Sequence, residues 1–321
     1  MAWPGRPGVW GPNLEVGRAE TLALAAELAT REPVTIAAAP QHYAILRERA
    51  ACNIDVVSIP LDDCWARDIS PLFVVAEEGV RARNFGFNAW GGKFEPIDND
   101  RNFGTALARH LGIASSTVNM VLEGGSVSTD GQGTAIIVEP TVLNDNRNPG
   151  VTRVDVEQIL AGALGLGSII WLPFGLLGDV DTGGHVDNVA VFCGPGRVLV
   201  QVSPSNAHPD AERLKQNLRI LRKSRDSMGR PLELVEVPWL PASPFDQARP
   251  SSYVNSYPGN GAVYVPVVGE TTDDAALELL GQAFGERLPV AVKSSALSFG
   301  GGGPHCMTMQ IPESAKQKEA Q

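Results

Sequence analysis

Helical periodicity starts afresh near residues 102, 154, 210 and 273, at intervals of roughly 50–60 residues, with two or three short β-rich runs between successive helices. This recurrence limits the fold more than any other feature of the chain. It describes one supersecondary unit used several times. It is also too strand-rich for the strict β-then-α alternation of a doubly wound sheet or a TIM barrel, because hairpin-like pairs intervene. A radial α/β arrangement is the expectation.

The periodicity predicts helices over Arg18–Arg31, Gln41–Ala51, Asn102–Leu111, Val154–Leu164, Asp210–Ser227 and Asp273–Phe284. Strands are predicted over Val34–Ala38, Val56–Ile59, Leu72–Val75, Ala135–Val138, Ile169–Leu172, Val189–Phe192, Val198–Val202, Leu234–Val237, Ala262–Val267 and Val290–Lys293. Hairpins are expected across Ala190–Val202, around GPGR, and across the pair flanking Pro258–Gly261. Asp210 and Asp273 stand where N-caps belong, with Thr272 before the latter.

Composition narrows the function classes. Thirty-six acidic against 26 basic residues give a formal charge of −10, which argues against nucleic acid and fits a cationic substrate weakly. The longest apolar runs, such as Gly167–Leu177, fall short of a membrane span, and MAWPGRPGVW does not read as a secretory leader. Cysteines 52, 64, 193 and 306 lack metal or redox spacing, so reduced thiols, a cytoplasmic location and no metal are expected. A frayed polar tail is expected over Glu313–Gln321.

Four segments depart from apolar core patterning: CWARDISP (64–71), VLEGGSVSTDGQGT (121–134), GDVDTGGHVDNVAVF (178–192) and FGGGGPHCMTMQIP (299–312). Each has an ordinary explanation. Arg67 and Asp68 before a strand make a structural ion pair or a turn cap. Glu123 before two glycines marks a bulge. His185 and Asp187, two apart on a strand, share a face and can satisfy each other. Cys306 alone is an inert thiol.

Together they read differently. A thiol after a glycine run suggests close backbone approach to a ligand, and it needs an acid/base partner, for which His185 is best placed. Three carboxylates, Asp68, Glu123 and Asp187, suit a planar cation whose N–H fork they grip edge-on. Such a grip turns the central carbon of a guanidinium toward a thiolate. An oxyanion-stabilising cysteine hydrolase would not surround its site with acids.

These segments, with FNAWGGKF (87–94), LNDNRNPG (143–150) and SYVNSY (252–257), resemble the agmatine deiminase family of guanidine-modifying penteins. MAWPGRPGVW at 1–10 is also similar to the family's early tryptophan-rich strand. The resemblance implies a fivefold pseudosymmetric α/β propeller of ββαβ modules, with one catalytic domain over 1–312. It makes Cys306 the nucleophile, His185 the general acid/base and Glu123 its orienting partner, with Asp68 and Asp187 as the guanidinium clamp. Trp65, Trp90 and Gly303 are then expected at the substrate pocket, although either tryptophan fits core packing equally well. No cofactor or metal is implied. The chain departs from the family at Ser70, Ser128 and Gly183, which bears on the pocket loops.

The substrate expected is a small cationic guanidine, agmatine first. Arginine, a peptidyl-arginine, a specialised guanidino compound and amidino transfer to an amine remain open, as does a non-catalytic binding protein. Asp179 and Asp181 are candidates for a distal ammonium, against the commoner role of loop acids in turns. No membrane partner is expected, and a homodimer is the default.

Overall fold

The computed structural model describes residues 1–240 and 252–313; the tail expected beyond Glu313 lies outside the described residues. Among the described residues, fourteen strands form five sheets. The first pairs β1 (Val34–Ala38) with β2 (Ile54–Ser58) in parallel, and Ala2 bridges to Ala37 beside them. The other four share one plan, in which a hairpin is followed by a helix and a strand that returns parallel to the second. They comprise β3 (Leu72–Ala76), β4 (Gly79–Gly86) and β5 (Ser115–Val121); β6 (Val127–Thr129), β7 (Thr134–Val138) and β8 (Ser168–Leu172); β9 (Ala190–Gly194), β10 (Arg197–Gln201) and β11 (Glu233–Val237); and β12 (Tyr257–Pro258), β13 (Ala262–Val267) and β14 (Leu288–Lys293). These are the ββαβ units that the family resemblance implies, recurring at the spacing read from the helices.

The module helices follow the side-chain pattern. In Ala211–Lys223, Leu214, Leu218 and Leu221 fall at helical spacing on the buried face, while Lys215, Arg219, Arg222 and Lys223 face water. In Arg153–Leu164, Thr152 and Asp155 close a reciprocal capping box, and Gly165 ends the helix at φ 73°. The middle strand β7 is buried along its whole length and β13 over all but its last residue, Val267, consistent with sheets covered on both faces.

Two expected caps are different in detail. Asp210 holds the N-cap position of Ala211–Lys223 but makes no cap bond; its Oδ1 accepts the Leu177 N–H at 2.9 Å. Asp273 is the first helical residue, and its carboxylate accepts the Gly269 and Glu270 N–H groups and the Tyr253 hydroxyl. Both acids tie a loop to a helix start. His185 and Asp187 do not lie on a strand. They flank and enter a 3-10 turn, Val186–Asn188, which precedes β9.

Loop side chains also complete the sheets. Asn148, 5% exposed, accepts from the Val121 N–H and donates to the Val121 and Val142 carbonyls. It thereby stands in for a missing strand at the end of β5. Asn148→Ala would leave these buried backbone groups unpaired and is expected to cost about 2–4 kcal/mol, measured as a lower urea midpoint at unchanged m-value; a loss below about 0.5 kcal/mol would contradict this role.

Candidate active site

Loops from several modules meet at one narrow cavity, whose wall includes Trp65, Asp68, Trp90, Asp181, Gly301 and Cys306. Asp68 comes from the short helix Ala66–Ile69, Glu123 from the end of β5, and His185 and Asp187 from the turn before β9. Cys306 follows the helix Ser295–Gly300, whose first turn is held by Glu20 Oε2 accepting the Ala296 and Leu297 N–H groups. His185, Glu123 and Asp187 are buried just beneath the wall residues. Seven of the eight residues singled out in the sequence thus converge.

Gly303 is the exception. It is buried against Asn255 and stands off the cavity, whereas Gly300 and Gly301 line it. The glycine run makes room for neighbouring protein atoms more than for a ligand: a Cβ on Gly302 would lie 2.5 Å from the Trp65 ring and 3.1 Å from the Cys306 sulfur.

The carboxylates are individually aimed. Asp68 Oδ1 accepts the Gly125 N–H at 2.9 Å, and its Oδ2 accepts the Trp90 indole N–H at 3.1 Å. Trp90 reaches it from a left-handed backbone (φ 54°), with Ala89 also left-handed at φ 57°. That conformation is costly for residues bearing a Cβ. Edge-on packing of Trp90 with Phe87 and Phe94 holds it there, while Trp65 is stacked on Trp10 at 5.8 Å. Arg67 does not pair with Asp68; it donates to the His305 carbonyl at 3.2 Å.

Asp187 divides its two oxygens. Oδ2 is 2.8 Å from His305 Nδ1 and 3.5 Å from Cys306 Sγ, while Oδ1 is buried with no hydrogen-bond partner among the described residues. Asn255 adds its amide to the thiol at 3.2 Å. Glu123 is gripped by buried Arg147, whose Nε lies 2.8 and 3.0 Å from its oxygens. Neither Arg147, Asn255 nor His305 had been assigned a role from sequence. Arg147 and Asn255 lie inside quoted motifs, LNDNRNPG and SYVNSY, and His305 adjoins the thiol.

His185 lies among these acids, 3.8 Å from Asp68 Oδ1 and 3.9 Å from Glu123 Oε2, and neither ring nitrogen has a hydrogen-bond partner among the described residues. Burial works against its charge, but Asp68, Glu123 and Asp187 outweigh this and raise it to about 9. Burial likewise opposes ionisation of Glu123, yet His185 and Arg147 hold it at about 2. Asp68 is pushed up to about 6 by burial, partly offset by His185. The Cys306 thiol is driven well above its ordinary range by burial and by Asp187 and Asp68. The surrounding acids and burial thus favour a cationic His185 and a protonated Cys306 in the resting site.

Asp179 is not a free acid at the mouth. Its carboxylate binds the Thr182 hydroxyl, the His185 N–H and the Asn188 amide, fixing the turn that carries His185. Among the described residues no cluster of ligand side chains suits a metal ion, and no helix is long and apolar enough to cross a membrane.

Comparison with known proteins places this geometry. Residues 1–312 match the model of the Porphyromonas-type peptidyl-arginine deiminases. Agmatine deiminase of Stutzerimonas stutzeri is 37% identical, over 97% of this chain and 92% of its own. That of Pseudomonas aeruginosa is also 37% identical, over 98% and 93%. The structure of agmatine deiminase of Enterococcus faecalis superposes with a TM-score of 0.92 at 28% identity, over 98% and 92%.

Fold and site together define a guanidine-modifying pentein, an enzyme that acts on a guanidino C–N bond. Within that class, the chain belongs to the Porphyromonas-type peptidyl-arginine deiminase family, with agmatine deiminases among its relatives.

Gly125 gives the tightest test of this arrangement. A Cβ there would lie 2.5 Å from His185 Nδ1 and 3.0 Å from both Asp187 Oδ2 and Asp68 Oδ1. Gly125→Ala is expected to lower kcat/KM about 100-fold and to cost about 1–3 kcal/mol of stability by overpacking; near-normal turnover would show that the cluster tolerates displacement.

Proposed function

We propose that this chain hydrolyses a small guanidine, agmatine first, to N-carbamoylputrescine and ammonia through a covalent intermediate on Cys306. The observation that carries this reading is the free Asp187 Oδ1, buried beside a thiol and completing, with Asp68, a pair of acids that can grip a guanidinium on two edges.

The resting charges suit that sequence of events. An arriving guanidinium offsets Asp68 and Asp187, the acids that keep the thiol protonated, and so makes the thiolate accessible. Asp187 Oδ2 is the acceptor within reach of the thiol proton. The thiolate attacks the guanidinium carbon, and imidazolium His185 gives its proton to the departing nitrogen, which leaves as ammonia. An S-alkylthiouronium remains. Neutral His185 then takes a proton from water as the water attacks the same carbon; collapse expels the thiolate and the ureido product, whose extra proton passes to solvent, and Asp187 returns the thiol proton to Cys306. One residue serves as acid and then base, and Glu123, fixed by Arg147, holds it cationic for the first step.

The cavity favours a cationic far end. Asp181 stands on its wall with aromatic Trp65, Trp90 and Phe94, as does Asp63, which Arg6 already pairs at 3.5 Å, and among the described residues lining the cavity there is no lysine or arginine. An α-carboxylate would find no counter-charge on that wall, which supports agmatine over arginine. The relatives named as agmatine deiminases point the same way.

The test is ammonia release from agmatine, arginine and a blocked peptidyl-arginine, with Cys306→Ser beside the wild type. Agmatine is expected to be turned over and the variant to be inactive; no ammonia from any of the three would overturn the reading. Glu123→Gln should also lower the pKa of His185, because a carboxylate favours the imidazolium. The alkaline limb of the kcat/KM profile is expected to move to lower pH by about one unit; an unmoved limb would remove His185 from the acid step.

A further inference from the structure

A second, larger cleft lies against the same residues. Its wall includes Arg67, Gly124, Ser128, Ser256, His305 and Met309, and it shares no wall residue with the substrate cavity. Consecutive residues divide between the two: Asp68 and Cys306 face the first, Arg67 and His305 the second. His305 contributes a ring that is 16% exposed and whose Nδ1 holds Asp187 at 2.8 Å.

We infer that His305 is a positioning residue for catalysis: from the second cleft it donates Nδ1–H to Asp187 Oδ2, fixing the carboxylate so that Oδ1 faces the guanidinium. The inference rests on the function proposed above and adds to it a residue outside the reacting set. Three observations carry it. Oδ2 is the only Asp187 oxygen with described partners, so its bond to His305 sets the rotation of the carboxylate and hence where Oδ1 points. The same Oδ2 is the thiol's acid neighbour, so its placement also decides how strongly the resting thiol is kept protonated. The His305 backbone is pinned independently, because its carbonyl accepts Arg67 Nε and its N–H reaches the Asn255 carbonyl at 3.3 Å. The ring cannot drift without breaking these links.

The charged and titratable groups facing His305 are Asp187, Arg67 and His185, with Cys306 adjoining it. Burial and Arg67 lower its pKa, so a neutral ring that donates through Nδ1 is its form at pH 7. The donated bond is in turn the leading influence that keeps Asp187 ionised against burial. Removing it raises the Asp187 pKa, and guanidinium binding then fails at a higher pH on the acid side.

The test compares His305→Asn, whose amide can donate from the Nδ1 position, with His305→Leu, which cannot. For agmatine, His305→Leu is expected to lower kcat/KM about 30-fold and to move its acid limb to higher pH. His305→Asn should stay within about threefold of wild type, as expected for a charge-assisted hydrogen bond that is worth about 2 kcal/mol. Equal losses in both variants would mean that ring shape, not the donated bond, matters, and would overturn the inference; so would a wild-type acid limb in His305→Leu. If His305→Leu does not fold, His305→Ala with added imidazole replaces it. Rescue through the second cleft is then expected, and its absence counts against the inference. A readout independent of turnover is the rate of Cys306 alkylation by iodoacetamide across pH. In His305→Leu its profile should shift relative to wild type, whereas an identical profile contradicts a link from His305 through Asp187 to the thiol. An inactive wild type would instead fail the proposed function, so the two failures are separable.

Discussion

The structure depends on keeping three carboxylates buried together. Asp68, Glu123 and Asp187 are each at most 6% exposed, and like charges in a low-dielectric interior repel strongly. The site resolves this with two buried cations, Arg147 and His185, and with one neutral hydrogen-bond donor, His305. Arg147 grips Glu123 from one side, His185 lies between Glu123 and Asp68, and His305 bonds Asp187 from the other. The balance is incomplete in one place, at the unpartnered Asp187 Oδ1, and a guanidinium supplies the missing positive charge there. In this account recognition and resting-state stability are the same electrostatic problem, solved first by the protein and then by the substrate.

Much of the surrounding backbone follows from that packing. Gly125 is glycine because a Cβ would strike His185, Asp187 and Asp68 together. Trp90 takes a left-handed conformation so that its indole N–H meets Asp68 while the ring packs on Phe87 and Phe94. Asp179 spends its carboxylate on the turn that presents His185. The propeller plan makes this convergence possible, since loops that are more than a hundred residues apart in sequence, such as those of Asp68 and Cys306, end at the same cavity.

The architecture was legible because each module repeats the same hydrophobic rhythm. Val34–Ala38 and Ala262–Val267 were predicted with their observed bounds, and the helix expected over Val154–Leu164 begins one residue earlier. β4 and β5 escaped notice because GVRARNFG and SSTVNMV are polar or mixed: β4 is only partly buried over most of its length, and Asn148 completes the end of β5. At the site, residues carrying reactive groups were visible as breaks in apolar patterning. Their supports were not. Arg147 is an unremarkable basic residue in a loop until the fold sets it against Glu123, 24 positions away, and Asn255 and His305 matter only through contacts with Cys306 and Asp187 that no local pattern encodes.

The central claim is a charge state: at rest His185 is cationic while Cys306 is protonated. Nitrogen-15 NMR of the histidine-labelled enzyme, with His185 assigned by comparison with a His185→Gln variant, measures it directly. Both His185 ring nitrogens are predicted to carry protons at pH 7 and to titrate near pH 9. A His185 ring that is neutral at pH 7, with one unprotonated nitrogen, would contradict the account, because the three acids would then lack the buried cation on which the site is built.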